Sequence, residues 1–318
     1  MNSCDILETA LQKAGIQSFG FLGEEALASA CYGMGAEART RYGLDSAHSA
    51  VAAALPYCEG PPELSAWASD WRAEHPGPLA RLGRFARANW YAELVARLGA
   101  ASSAARVGLD AAGIDPGRAG EWRRMANSGL PEKRIVIASG LGSLGRHGLV
   151  MVPSYGSAVV LGVLLMPIEL EDFAPRTVQC SVLCESCGLC SSACPTGALS
   201  GSFGTDDGSG RLVGFERELC LQHWSSRPGE LPAAVEAAWG ERLYGCDVCQ
   251  EACPLFKPDP TARAERGLLG PGLPASWLIS ASDGEIRSRL KGSALGMSWI
   301  SIDALRRNAR HVLSMSGI

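Results

Sequence analysis

The sequence predicts an α+β protein laid out in three consecutive parts, and three observations predict it. Helical and strand-like apolar patterns alternate irregularly through residues 1–175, enough for a domain with its own core. Nine of the twelve cysteines fall between Cys180 and Cys253 at ligand-like spacing, which sets 176–260 apart as a small cysteine-built domain. Residues 261–318 show helical periodicity behind a Pro- and Gly-rich linker and are expected to form a short helical tail. Hydrophobic residues make up 47% and charged residues 19%, the balance of a packed chain and not of a disordered one. A net charge of −4 supplies no global basic field for nucleic acid. From Thr261 to Ile318 eight Arg/Lys face four Asp/Glu, read as a solvated helical face or a tail turned toward a polyanion.

The elements follow in chain order. MNSCDILETALQKAGIQ sets Ile6, Leu7, Ala10, Leu11, Ala14 and Ile16 at roughly helical spacing, and it lacks the basic-then-apolar pattern of a secretory signal. DSAHSAVAAALPY (45–57) and RIVIAS (134–139) read as strands. ARLGRFARANWYAELVARLGAA (80–101) reads as one helix, apolar along Phe85, Tyr91, Leu94, Val95 and Leu98. GLVMVPSYGSAVVLGVLLMP reads as two β runs around a Pro-Ser-Tyr-Gly turn. Its apolar run is shorter than the roughly 20 residues that span a bilayer, so no membrane partner is expected. SWLI, EIRSRLKGSAL and SWISIDALRRNARHVLSM are the helical pieces of the last part, and LFKPDPTARAERGLLGPGLPA is the linker before them. Clustered cysteines on a chain without an export signal point to a reduced, cytoplasmic metal protein.

The chemistry starts with the cysteines. Cys184, Cys187, Cys190 and Cys194-Pro195 give C-x2-C-x2-C-x3-C-P, while Cys246, Cys249 and Cys253-Pro254 give C-x2-C-x3-C-P, with Cys220 standing 26 residues upstream. Eight thiolates suffice for two [4Fe–4S] clusters, and in two-cluster ferredoxins the fourth Cys of such a run serves the other cluster. Cys184, Cys187, Cys190 and Cys253 are thus assigned to one cluster, and Cys194, Cys220, Cys246 and Cys249 to the second. A pair of structural Zn(Cys)4 sites is the alternative, though zinc motifs favour separated cysteine pairs. Cys4, Cys31 and Cys58 read as ordinary buried thiols, and Cys180 as a spare ligand.

Gly140-Leu141-Gly142-Ser143-Leu144-Gly145 satisfies G-x-G-x-x-G after the strand-like RIVIAS. A dinucleotide fingerprint requires a helix to open at those glycines and an acidic residue about 20 positions on. Neither follows, so dinucleotide binding is set aside. The glycines would still let a backbone approach a flat or bulky cofactor, or serve packing alone.

These motifs together resemble the epoxyqueuosine reductase family, cobalamin-dependent iron–sulfur enzymes of tRNA queuosine synthesis, with features of the related reductive dehalogenases. RLGRFARANWYAEL resembles the family's basic-aromatic helix, and SGLGSLGRHGLVMVPSYGSAVVLG its Gly-rich corrinoid-binding segment. CESCGLCSSACPTGAL and ERLYGCDVCQEACP are similar to its two cluster motifs, and DALRRNARHVL to its helical ending. The resemblance implies an α/β cobalamin-binding-type domain over 1–175, a two-[4Fe–4S] ferredoxin-like domain over 176–260, and a short helical tail. It also implies electron flow from a low-potential ferredoxin- or flavodoxin-type donor, through the clusters, to a cobalamin held near Gly140, Leu141, Gly142, Gly145 and Tyr155. The reaction it implies is reductive cleavage of a C–O bond, with epoxyqueuosine in tRNA or a related small molecule as substrate.

One departure bears on that reaction. The family has an Asp that protonates the leaving oxygen within D-[ST]-x-P-x-L-E; the stretch here is Asn127-Ser128-Gly129-Leu130-Pro131-Glu132-Lys133, one residue shorter, with Asn127 in the Asp place. An amide hydrogen-bonds an oxygen but delivers no proton at neutral pH. Asn127 and Glu132 are the catalytic candidates, Glu132 as substitute acid, with Tyr155 and Lys133 behind it. The plain alternative makes Glu132 and Lys133 a solvated charge pair. A second functional class is a non-catalytic 4Fe–4S electron carrier that has lost its cobalamin.

Overall fold

A computed structural model describes residues 2–58, 73–170, 183–200 and 214–317. Cys180 and the expected boundary at 175 lie outside the described residues. The chain packs as two compact units that interleave along the sequence, unlike the consecutive order of the three parts. One unit comprises Met1–Pro56, Tyr91–Ser186 and Thr205–Leu212; the other comprises Tyr57–Trp90, Cys187–Gly204 and Val213–Ile318.

The first unit is built on an antiparallel four-stranded sheet. Its strands run in the order Ser18–Leu22, Ser49–Pro56, Val159–Met166, Arg123–Ala126. The Ser49–Pro56 strand is central and buried along nearly its whole length, which explains its unbroken Ala/Val sequence: neither of its faces meets water. One sheet face carries the Glu24–Ala30 and Glu132–Ala138 helices, whose Ala26, Leu27, Ile135, Val136 and Ile137 share a core with Leu22, Ala52 and Val163. At Gly162 a Cβ would stand 2.7 Å from Leu94 Cδ2, so the Trp90–Ala111 helix lies directly on the Val159–Met166 strand there. The Ser3–Lys13 helix begins with the expected amphipathic pattern, capped by Asn2 and burying Ile6, Leu7, Ala10 and Leu11. Ile6 packs into the space that Gly108 leaves on the Trp90–Ala111 helix.

Two expected elements differ. RIVIAS is not a strand but the body of the Glu132–Ala138 helix. Its β-branched run is fully buried in the core, and that burial overrides the strand propensity of Ile and Val. The helix expected from residue 80 starts only at Trp90. The residues before it form the Leu79–Leu82 strand and a short 3-10 turn, because Leu79–Leu82 is drawn into a sheet.

That sheet belongs to the second unit. Leu79–Leu82 lies between Arg242–Tyr244, to which it runs parallel, and Gly272–Pro274, to which it is antiparallel. The Ala275–Ser280, Asp283–Leu290 and Ile302–Met315 helices pack on it, sharing one core of Leu82, Leu243, Leu273, Trp277, Leu305 and Val312. The helical ending is therefore no free-standing tail. Asn308 is fully buried in it, and its side-chain N–H groups reach Leu243 O at 2.7 Å and Ser225 O at 3.0 Å. No described helix is long and apolar enough to cross a membrane.

Candidate functional site

The cysteine centre is assembled from short helices whose ends present sulfur. Cys184 and Cys187 lie on Leu183–Cys187, Cys190 on Leu189–Ala193, and Cys249 on Val248–Glu251. Gly188, in the left-handed region at φ 68°, turns the chain between the first two of these helices. The Leu189–Ala193 and Val248–Glu251 helices pack on each other. The eleven described cysteines are free thiols.

Cys190, Cys194, Cys220, Cys246 and Cys249, drawn from both assigned sets, lie close enough for the other four to act on Cys249. The Cys249 thiol is pushed up to about 12, first by burial and then by the sulfurs of Cys246, Cys220, Cys190 and Cys194. Cys220 and Cys246 are also raised by burial; Cys194 adds to the shift of Cys220, and Cys220 to that of Cys246. Donors already point at these sulfurs: the backbone N–H groups of His223 and Gln222 at Cys220, and that of Val248 at Cys246. The Thr196 hydroxyl lies 3.6 Å from Cys194 Sγ. Crowded, buried sulfurs, two of them already accepting backbone N–H groups, fit an iron–sulfur cluster, whose iron charge offsets their repulsion. No described group of three His, Cys, Asp or Glu side chains is gathered for a single metal ion. Cys184 and Cys187 sit on the Leu183–Cys187 helix, and Cys253 follows the Val248–Glu251 helix in irregular chain.

Residues far away in sequence brace this centre. Asp247 accepts the Arg84 backbone N–H at 2.7 Å, and the Arg84 guanidinium reaches Glu251 at 3.1 Å and lies over the Phe256 ring. At Gly245 (φ 102°) a Cβ would stand 2.8 Å from Gly83 Cα, so two backbones touch where no side chain fits. Tyr57 Oη donates to Gln250 at 2.8 Å inside the core. No short-range pattern signals these partners; only GRFAR, within the segment read as a basic-aromatic helix, carried a hint.

The second site lies in the first unit. Asn127 is the sole non-glycine residue with positive φ among the described residues, at 54°. Asn tolerates this left-handed conformation better than most residues, and Asp shares the property. The loop after it is clamped at successive N–H groups. Asn127 N–H donates to Glu132 Oε2 at 3.0 Å, Ser128 N–H to Glu132 Oε1 at 2.8 Å, and Gly129 N–H to Tyr42 Oη at 3.1 Å. Ser128 Oγ also donates to Glu132 Oε1, at 2.9 Å. Burial raises the Glu132 carboxyl, and these bonds from Ser128 and Asn127 pull it back. Glu132 is thus spoken for: both oxygens hold the loop, which leaves the expected acid role without a free oxygen. Asn127 is exposed and its side-chain amide has no partner among the described residues.

Glu132 and Lys133 do not form a surface pair. Lys133 keeps an exposed stem but tucks its ammonium inward, where Nζ donates to Gly148 O at 2.7 Å and burial lowers its pKa. The Gly-rich segment forms a small hairpin, Ser143–Leu144 against Val150–Met151. Gly140, at φ 75°, closes the Glu132–Ala138 helix by donating to Ile137 O. A Cβ at Gly142 would stand 2.6 Å from Met151 O, and one at Gly145 2.6 Å from His147 Cε1. These three glycines are accounted for by the hairpin itself. Leu141 and Tyr155 pack against the core. A helix precedes G-x-G-x-x-G and a hairpin follows it, the reverse of a dinucleotide fold. His147 is a buried ring on this hairpin whose Nε2 has no partner among the described residues. Beside it Arg146 Nε donates to Cys184 O at 3.3 Å, tying the hairpin to the first cluster motif.

Comparison with known proteins agrees with this layout. Residues 183–255 match the 4Fe–4S double cluster binding domain. The epoxyqueuosine reductase of Gloeobacter violaceus is 32% identical over 200 residues, 59% of this chain and 57% of that protein. That of Bacillus subtilis is 30% identical over 199 residues, covering 59% and 45%. That of Staphylococcus aureus is 33% identical over 135 residues, covering 42% and 32%. The matched stretches thus span about one third to just over half of these relatives. The epoxyqueuosine reductase structure from Streptococcus thermophilus superposes with a TM-score of 0.69 at 19% identity, covering 99% of this chain and 81% of that one. A structure of epoxyqueuosine reductase with a modified tRNA stem loop gives 0.63 at 20%, covering 98% and 82%. The family resemblance read from the motifs is thus found again in partial sequence matches and in comparison of the fold: the chain is similar to epoxyqueuosine reductases and carries their fold around a double-cluster segment.

Proposed function

We propose that this chain is a cytoplasmic reductase that passes electrons from a low-potential ferredoxin- or flavodoxin-type donor through two [4Fe–4S] clusters to a cobalamin, and cleaves a substrate C–O bond. The eight cysteines named above hold the clusters, in the two sets the spacing assigns. Residues 1–175 hold the corrinoid, apart from the 57–90 stretch that packs in the second unit; 176–260 hold the clusters, and 261–318 support them. The hydrogen bond from Arg146 Nε to Cys184 O supports this reading, because it ties the Gly-rich hairpin to one of the proposed cluster ligands. When bound, the corrinoid supplies low-potential electrons at cobalt, and the protein supplies orientation and electrostatics.

Removing an epoxide oxygen takes two electrons and two protons and leaves an alkene and water. Asn127 presents its amide on a rigid loop, so it binds and orients a substrate oxygen. It supplies no proton, and Glu132 is engaged in holding the loop. General acid catalysis is typically worth about 10²–10⁴-fold. The substrate is therefore either one that needs no strong acid at this position, a small molecule, or epoxyqueuosine in tRNA turned over slowly.

Anaerobic reconstitution tests the reading. The protein should take up about eight irons and one cobalt. Cobalt that stays at trace levels would favour a non-catalytic electron carrier. An Asn127→Asp variant that gains activity on epoxyqueuosine tRNA would show that the amide is what separates this chain from that reaction; no turnover by either form would point to a different substrate.

A further inference from the structure

Trp299 stands out on the surface of the second unit. It is 52% exposed, although Ile300 and Ile302 beside it are buried in the core. A lone exposed apolar side chain is common and needs no partner. This one is fixed in place: its indole N–H, which can only donate, is hydrogen-bonded to the Tyr244 hydroxyl. The Gln222 side chain bonds the same hydroxyl. Tyr244 stands two positions before Cys246 and Gln222 two after Cys220, at most about 7 Å of chain in each case. The Gln222 backbone N–H is itself aimed at the Cys220 sulfur. The exposed ring is thus wired to two of the ligands assigned to the second cluster.

The surroundings are basic. From Ile286 to Leu313 the chain carries Arg287, Arg289, Lys291, Arg306, Arg307 and Arg310 against the single acid Asp303. Arg306 and Arg307 are engaged in the fold, with Asp283 and with backbone carbonyls. Exposed Lys291 and Arg227 are brought to the Trp299 turn by packing. A Cβ at Gly296 would stand 3.2 Å from Lys291 Cα, and the Ser301 N–H donates at 3.2 Å to the carbonyl of Ser226, the residue before Arg227. Glu230 is the acid next to Arg227 in the chain. An aromatic anchor among cations fits a partner whose contact face is acidic. Nucleic acid would meet the charge equally well, but a link to cluster ligands serves only an electron carrier.

We propose that the Trp299 surface is where an acidic low-potential electron carrier, of ferredoxin or flavodoxin type, docks to reduce the second cluster. This deepens the donor reading above and rests on it. In each encounter the carrier loses one electron and the cluster gains it; no bond is made and no proton moves. The test mixes the anaerobically reconstituted full chain with reduced ferredoxin or with flavodoxin hydroquinone and follows cluster reduction by stopped-flow absorbance. Trp299→Ala should slow reduction by the carrier about tenfold. Reduction by dithionite, which needs no docking face, should keep the parent rate. Lys291→Glu should also slow the carrier and flatten its salt dependence. Ile279→Ala, at another exposed apolar position of the same unit, should match the parent. Equal carrier rates for Trp299→Ala and the parent would overturn the proposal and leave the donor reading standing. Equal slowing with dithionite would also overturn it, since Trp299 would then shape the cluster and not a docking face. So would an unchanged carrier rate with weakened binding of a tRNA stem loop, which would make this a nucleic-acid surface. A parent reduced by dithionite but by neither carrier would sink the donor reading and the proposal together. Unchanged iron content and melting temperature establish that the variants fold; should Trp299→Ala fail to fold, Lys291→Glu decides alone.

Discussion

The cysteine centre and the Asn127 loop hold their functional groups in opposite ways. The thiols of Cys194, Cys220, Cys246 and Cys249 crowd one another, and burial together with neighbouring sulfurs makes Cys220, Cys246 and Cys249 harder to ionise. Arg242 offsets part of that repulsion at Cys246, and the positive charge of cluster iron would offset the rest. The loop is complete without any ligand, because Glu132 and Tyr42 accept its consecutive N–H groups. One region waits for its cofactor to relieve repulsion, and the other is preorganised by the chain. Removing iron should therefore loosen the first and leave the second unchanged.

The largest effect is expected from Cys249→Ala. Iron content should fall from about eight to about four per chain, measured by metal analysis, with the first cluster's spectrum retained. Loss of all iron would mean that the two sets do not fill independently. Next, Asn308→Leu should destabilise the second unit by about 2–4 kcal/mol in denaturant melts, since two buried carbonyls lose their donors. Those carbonyls, of Leu243 and Ser225, lie close in sequence to Cys246 and Cys220, so cluster loading should suffer as well.

A smaller effect tests the other side of the comparison. Glu132→Gln replaces one accepting oxygen by a donor that faces a backbone N–H. Hydrogen exchange at Asn127 and Ser128 should speed up about tenfold, with iron content untouched. The smallest effect is a pH dependence at His147. Its pKa of about 4 lies below the usual 6.5, so the unfolded chain takes up a proton that the folded chain refuses. Stability is full above pH 6.5 and falls as the pH drops toward 4. Between pH 7.5 and 5.5 the loss is about 1 kcal/mol, and His147→Gln should lack it.

Legibility followed the range of the contacts. The cluster cysteines announce themselves because their ligand spacing is local. The Ser3–Lys13 helix was also readable from its helical period, and the Ser49–Pro56 strand from a short unbroken apolar run. The run Ile135-Val136-Ile137 misled, because its β-branched residues sit in a seven-residue helix that the core stabilises. Arg84 with Asp247 and Asn308 with Leu243 were beyond reach: 163 and 65 positions separate the partners. His147 was visible only as one of five histidines until its ring was seen buried over Gly145.

The left-handed backbone at residue 127 has a consequence for descent. Codons for asparagine and aspartate differ in a single first-position base, and the loop's shape suits either residue. A lineage can thus gain or lose a proton donor here in one mutational step, with no need for the scaffold to adapt first. Divergence toward a new substrate would then begin with chemistry and reach architecture later.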